Sequence, residues 1–537
     1  MARTPRFAEL RRTLRLAEAA SRAGISTAEA IERARAAERE RISRRKLMIG
    51  AAGVAGAIAA SHPRMVSAKA PPQVSVGIVG AGLAGLVCAD RLEAAGVVPT
   101  LYEASYRTGG RCFSLGGTFG GPVTFPGQVA ERGGEFIDTA HKTMLAYANE
   151  FDLAKEDVNK EPGEVLYYFD GQHVPEEDVV DEYRDFVDAM HDDLQASSGS
   201  PTADDHNDDD VILDQTTLEE YLLTRGAGPT LTKAIGEAYI AEYGRELDEQ
   251  SALNFLLFIH ADKRSKFTPF GVFSDERYHL KQGNEQIPAA IQDRLDAPLH
   301  LGHRLVKVKK TAAGKIELTF KNGSQTVVKV HDAVVITIPF TVLRGITLDP
   351  SLGLPAWKTQ AIQEMGYGNN AKMMLGFNSR IWNASGSNGA SYSDLANHQA
   401  TWETNPTAPT STRIITDYSG GLRGALLNPN AVQSEASAFL ADLNLVFPGA
   451  AAAATRLQGN KLRAHLEHWP SNPLTKGSYT SYMPGQFTSI SGNEGKPVDN
   501  LYFAGEHTNS FYEYQGFMEG ACLSGIDAAD TILADWG

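Results

Sequence analysis

V-G-I-V-G-A-G-L-A-G-L-V-C-A-D-R-L at residues 76–92, with P-T-L-Y-E-A-S-Y-R-T-G-G-R-C at residues 99–112, decides the fold class of this chain. The apolar run at residues 74–79 suits a buried parallel strand. It ends in Gly80-Ala81-Gly82-Leu83-Ala84-Gly85, which opens a helix. Gly80 permits the tight turn, Gly82 lets backbone approach a pyrophosphate, and Gly85 lets helix and strand pack closely. Leu83 and Ala84 begin the helix, whose free N–H groups face the phosphates. Glu103 lies 18 residues after Gly85 at the end of a second strand, residues 100–102, placed to accept from ribose hydroxyls. Strand, turn, helix, strand and acid come in the order that binds a dinucleotide.

Outward from this segment, 537 residues are too many for one small core and imply two or more intertwined lobes. At the N-terminus, Ser43-Arg44-Arg45-Lys46-Leu47-Met48 precedes a small apolar stretch at residues 49–60 and then Ala68-Lys69-Ala70. This resembles a twin-arginine export signal at residues 43–70, and the apolar run is too short for a permanent membrane span. Export machinery is the implied partner, and a periplasmic or secreted location follows. Residues 1–42, rich in Ala, Arg and Glu, read as a helical leader extension. Residues 1–70 carry 15 Lys and Arg against 6 Asp and Glu, so the net −15 of the whole chain becomes −24 over the rest. That balance excludes nucleic acid as partner and suits a cationic substrate. Three scattered cysteines, Cys88, Cys112 and Cys522, form neither a disulfide framework nor a metal site.

Apolar spacing predicts helices over residues 218–223, 231–243 and 251–260. The acidic run at residues 203–210 reads as a solvated loop. Strand character returns near residue 299: residues 315–320 and 326–330 flank Asn322-Gly323, a hairpin signal, and residues 333–339 read as a further buried strand. A polar and helical block is expected at about 346–470.

Three more segments are specific to a family: Arg107-Thr108-Gly109-Gly110-Arg111, Glu131-Arg132-Gly133-Gly134-Glu135-Phe136, and Leu501-Tyr502-Phe503-Ala504-Gly505-Glu506-His507-Thr508 leading into Gly516-Phe517-Met518-Glu519-Gly520. Together they resemble the flavin-containing amine oxidases, which include monoamine, polyamine and L-amino-acid oxidases. The resemblance implies an α/β fold: a Rossmann-like FAD-binding domain of discontinuous segments (71–145, 300–345 and 485–537) with an inserted α+β substrate-binding domain (146–299 and 346–484). Gly110, Arg111, Gly134, Glu135, Phe136, Val306, Gly505, Glu506, Phe517 and Met518 are then the further cofactor-binding residues.

Lys372 matches the family lysine held through water against the reactive flavin nitrogen, and Tyr479 and Phe517 match two rings that flank the substrate amine. Trp469, Phe136 and Asp138 are further substrate-side residues by the same resemblance. Ser478 stands where monoamine oxidases carry the cysteine joined to the cofactor, which implies noncovalent FAD. No arginine follows Gly134, where snake-venom-type L-amino-acid oxidases hold the substrate carboxylate. The reading is oxidative deamination of an amine: hydride passes to FAD, the imine hydrolyses, and dioxygen becomes hydrogen peroxide. Three alternatives stay open. They are an L-amino-acid oxidase for basic side chains, a dehydrogenase passing electrons to a quinone or protein, and a non-catalytic FAD-binding protein. The oligomeric state, a homodimer included, is not read from sequence.

Overall fold

The computed structural model describes residues 25–27, 31, 73–117, 124–259, 276–509 and 514–537. One sheet is parallel throughout and gathers five distant segments, in the order Leu501–Phe503, Ala333–Ile336, Val76–Val79, Thr100–Tyr102, Leu299–His300. Val76–Val79 and Ala333–Ile336 are buried along their whole length, as strands with both faces covered must be. The glycine turn leads from Val79 into the helix Leu83–Ala94. The last helix, Met518–Trp536, lies against it so closely that a Cβ on Gly525 would stand 2.4 Å from the Ala84 carbonyl oxygen.

The hairpin at Asn322-Gly323 is present: Ile316–Asn322 and Gln325–His331 pair antiparallel, closing with Asn322 opposite Gln325. Arg304–Lys310 and Thr347–Leu348 extend it to four strands. The helices Leu218–Thr224, Pro229–Tyr243 and Ala252–Ile259 stand where apolar spacing put them. They share a core with the long helix Glu176–Ala196.

Two expectations are corrected. The block at 346–470 is not mainly helical, because it supplies five strands of a seven-stranded sheet. The order is Ala464–His468, Ala371–Phe377, Arg413–Ser419, Ala400–Glu403, Ser387–Ser393, Glu164–Phe169, Gln172–Val174. Its central strands are covered on both faces, and Ala371–Phe377 is buried at every position. Burial on both sides removes the polar–apolar alternation that marks a strand in sequence. The acidic run is also not all loop. Asp208, Asp209 and Asp210 open the helix Asp208–Gln215, with Asn207 and Asp210 forming a reciprocal capping box, since acids favour a helix N-terminus.

The proposed signal at 43–70 lies outside the described residues. Of the leader, Thr27 and Ile31 are buried, and Arg184 of the helix Glu176–Ala196 donates to Thr27 Oγ1 at 2.8 Å. Among the described residues no helix is long and apolar enough to cross a membrane.

Candidate active site

A cavity with about 1430 Å³ of atom-free space, partly open to solvent, runs between the parallel sheet and the seven-stranded sheet. At one end its wall is backbone. Gly80, at φ 109°, turns the chain under it, and Gly82, Leu83 and Ala84 line it. A Cβ on Gly82 would meet nothing nearer than Gly110 Cα at 3.9 Å, so a ligand can reach this backbone. Gly85 does not line the cavity; its role is packing, with Gly80 O only 2.0 Å from where a Cβ would sit. The helix Leu83–Ala94 has no side-chain cap at Gly82, and Met518–Trp536 has none at Phe517. Both N-termini open on the same cavity, with unspent N–H groups and dipoles that favour negative charge. Such a cradle fits a flavin dinucleotide.

Acids and bases along this end are already engaged. Glu103 accepts from Ala81 N and Ser105 N, each at 2.8 Å, and still faces the cavity. Arg111, expected to offer its charge to a diphosphate, donates to Glu506 at 2.7 Å and to Ser478 O at 2.8 Å. Burial alone would raise the Glu506 carboxyl, but the charge and hydrogen bond of Arg111 outweigh it and hold it below the usual range. His507, buried behind Glu506, is lowered to about 3 by burial and is a neutral imidazole.

The other end is built by strands. Antiparallel pairing sets Lys372 opposite Tyr418, and Tyr418 opposite Ala400, two residues from Trp402. Paired and diagonal positions share one face, so ammonium, phenol and indole converge. Lys372 Nζ is 5.8 Å from both ring centroids. It is 3% exposed and donates to Glu135 Oε2 at 2.7 Å, Gly133 O at 2.9 Å and Glu131 O at 3.1 Å. Those are all three of its donors. Tyr418 OH donates to Tyr479 OH at 3.0 Å, Tyr479 OH donates to Glu242 O, and burial pushes the Tyr418 phenol up. Trp469 donates to Arg132 O at 3.0 Å. Phe517 meets His141 edge-on at 4.9 Å. Lys372, Tyr418, Tyr479, Trp469, Phe517 and Met518 line one continuous cavity with Gly134, Gly505 and Glu506.

Four expected site residues stand behind the wall. Glu135 is fully buried between Lys372 and Trp402, whose Nε1 donates to it at 2.9 Å. Phe136 packs on Trp402 at 6.0 Å in a cluster that includes Tyr418 and Tyr479. Asp138 accepts from Glu276 N at 2.7 Å and pairs with His141 at 3.3 Å. Val306 is absent from the cavity lining, where Arg304 and Leu305 stand, and it lies at the point where strand Arg304–Lys310 shifts register. Tyr418 and Trp402 were missed from the sequence. Only the pairing of Arg413–Ser419 with Ala371–Phe377, and of Ala400–Glu403 with Arg413–Ser419, marks them. Among the described residues no group of three or more His, Cys, Asp or Glu could hold a metal ion.

The family described as flavin containing amine oxidoreductase matches residues 83–533. A probable polyamine oxidase 4 of Arabidopsis thaliana is 30% identical over 260 residues, about half (47%) of each protein. An L-amino-acid oxidase of Bungarus fasciatus is 23% identical over 482 residues, 85% of this chain and 86% of the relative. Among solved structures, a putrescine oxidase bound to putrescine superposes with a TM-score of 0.71 at 19% identity, covering 86% of this chain and 99% of that one. Cyclohexylamine oxidase from Brevibacterium oxydans IH-35A gives 0.70 at 21% identity, with the same coverage. At that identity the likeness shows the fold.

Proposed function

The chain belongs to the flavin-containing amine oxidoreductase family, and from that premise we propose that it oxidatively deaminates an amine with noncovalent FAD and dioxygen. The balanced reaction takes amine, dioxygen and water to carbonyl compound, ammonia and hydrogen peroxide. One observation carries the reading: two uncapped helix N-termini and a buried ammonium open on one cavity with an aromatic wall. Bound flavin supplies the two-electron acceptor for the substrate and, once reduced, the donor to dioxygen. The protein's own groups bind and orient. Gly82 and Gly110 leave room for a dinucleotide, and Glu103 would accept from its ribose. The uncapped turn at Phe517-Met518 would favour negative charge on a flavin ring held beside it. Tyr479 and Phe517 flank the amine with ring faces and exclude water from it.

Ser478 and Cys112 support noncovalent binding. The first is a hydroxyl that donates to Asn370 Oδ1 at 2.5 Å. The second is a buried thiol that burial pushes well above its usual range, away from the thiolate that would react. Acid denaturation should therefore release all the flavin into the supernatant as FAD; yellow colour fixed in the protein pellet would refute this.

Amine is favoured over amino acid because Arg111 and Lys372, the cations at Ser478 and Tyr418, are already held by Glu506 and Glu135. The L-amino-acid oxidase that matches 85% of the chain keeps that second reading alive. A peroxide-release screen over polyamines, aryl amines and L-amino acids decides between them. Anaerobic flavin bleaching without peroxide in air would point instead to a dehydrogenase. Export is proposed separately on Arg44, Arg45 and the Ala68-Lys69-Ala70 pattern. Replacing both arginines by Lys should leave the precursor in the cytoplasm, and normal export of that variant would end the reading.

A further inference from the structure

Glu135 holds a carboxylate through which both halves of the cavity meet. It follows Gly133-Gly134, on the chain that lines the cofactor end. Its two donors come from the seven-stranded sheet: Lys372 on Ala371–Phe377 and Trp402 on Ala400–Glu403. The residue is fully buried, and each oxygen serves one donor: Oε2 accepts from Lys372 Nζ at 2.7 Å and Oε1 accepts from Trp402 Nε1 at 2.9 Å. Lys372 has no proton left over, because Gly133 O and Glu131 O take the other two. The indole is fixed in turn between Phe136 at 6.0 Å and Tyr418 at 5.8 Å, and the Tyr418 hydroxyl reaches Tyr479.

We propose that Glu135 is the positioning residue of this active site, a double acceptor that locks the Lys372 ammonium and, through Trp402, the Tyr418–Tyr479 wall into one geometry. The inference rests on the reading of Lys372 as an active-site group and adds what sets that group in place. The chemistry demands a carboxylate. Two donors converge, one of them charged, and only a group that accepts on both oxygens serves both. Glutamine offers one acceptor and one NH2, so it must turn a donor toward either the ammonium or the indole N–H. Aspartate is one methylene shorter and reaches one donor at most. The arrangement also explains why Glu135 stands behind the wall: it neutralises the ammonium from the side away from the substrate.

The test compares holoenzyme variants Glu135→Gln, Trp402→Phe and Lys372→Met with the wild type. Anaerobic flavin reduction is measured per bound flavin, together with the midpoint potential of the bound flavin. Glu135→Gln should slow reduction at least about 10-fold, as does loss of a positioned charged contact. It should also raise the midpoint potential, because a fixed negative charge beside the ammonium is gone. Trp402→Phe keeps the carboxylate on Lys372, so it should leave the potential in place and slow reduction less than Glu135→Gln does. A carboxylate that only stabilises the fold would lower the melting temperature and leave both rate and potential unchanged. That result, with Lys372→Met still slow, overturns the proposal and spares the reading of Lys372. Unchanged rates in Lys372→Met overturn both. Should Glu135→Gln not retain flavin, Glu135→Asp takes its place. A reduction rate equal to wild type in that variant overturns the proposal, and a fall of about threefold or more supports it.

Discussion

The turn Gly80–Gly85 keeps its shape with backbone, whereas the wall around Lys372 keeps its shape with charge. In the first region the working parts lie within six residues, and each glycine has a local reason. Gly80 takes φ 109°, and Gly85 leaves no space for a methyl. In the second, Lys372 depends on Glu135 and on two carbonyls about 240 positions away in sequence. A backbone site fails by steric overlap, all at once. A charge site fails by degrees, and its folding and chemical roles can be separated by removing charges in pairs.

The largest effect is expected at the turn. Gly85→Ala puts a methyl 2.0 Å from Gly80 O, and backbone cannot swing aside as a side chain can. Overpacking of this kind costs about 3 kcal/mol or more, so little soluble flavoprotein should be recovered. Gly82→Ala is the contrasting change, since its methyl has 3.9 Å to the nearest atom, Gly110 Cα. That variant should fold with the wild-type melting temperature measured without cofactor, yet bind flavin poorly. Equal flavin content in Gly82→Ala and wild type would show that the dinucleotide does not pass between these glycines.

The second effect concerns Lys372. Lys372→Met should slow flavin reduction or reoxidation by on the order of 10²–10³. It also strands the Glu135 carboxylate in a buried site, which costs about 3–5 kcal/mol of stability. The double variant Lys372→Met with Glu135→Gln removes both charges, and the amide oxygen still accepts from Trp402. Its melting temperature should return most of the way, while the rate stays low. Recovery of both together would mean that Lys372 matters only for folding.

The same contrast explains what the sequence disclosed. The parallel sheet, its turn and the hairpin at Asn322-Gly323 are coded by short-range signals, namely glycines that need particular backbone angles and apolar runs bounded by turns. Most of the seven-stranded sheet was hidden because strands such as Arg413–Ser419 are buried on both faces and lose their alternation. Lys372 and Glu135 could each be named by resemblance, but their contact could not, and Tyr418 and Trp402 could not be named at all. Glu135, Tyr418 and Trp402 acquire their places only through strand register and the packing of one lobe on the other. Val306 shows the limit at single-residue scale: its strand shifts register at that position, and its neighbours Arg304 and Leu305 line the cavity.

The smallest effect is a slope. Glu131 offers its backbone carbonyl to Lys372 while its side chain is buried, accepting from Asn284 N at 2.7 Å and Ser114 Oγ at 2.8 Å. Burial pushes its carboxyl from an ordinary 4.5 up to about 8. Between those values the native state keeps a proton that the unfolded chain gives up. Stability contributed by this group is thus full below about 4.5 and lost as pH rises through about 8. One such proton changes the unfolding free energy by at most about 1.4 kcal/mol per pH unit. Glutamine copies the protonated side chain in shape and removes its titration. In Glu131→Gln, denaturant midpoints measured from pH 5 to pH 8 should fall less steeply than in the wild type, with the two proteins closest at pH 5. Parallel slopes would mean that Glu131 is already ionised in the native state, and the backbone around Lys372 would then lie beside two buried carboxylates rather than one.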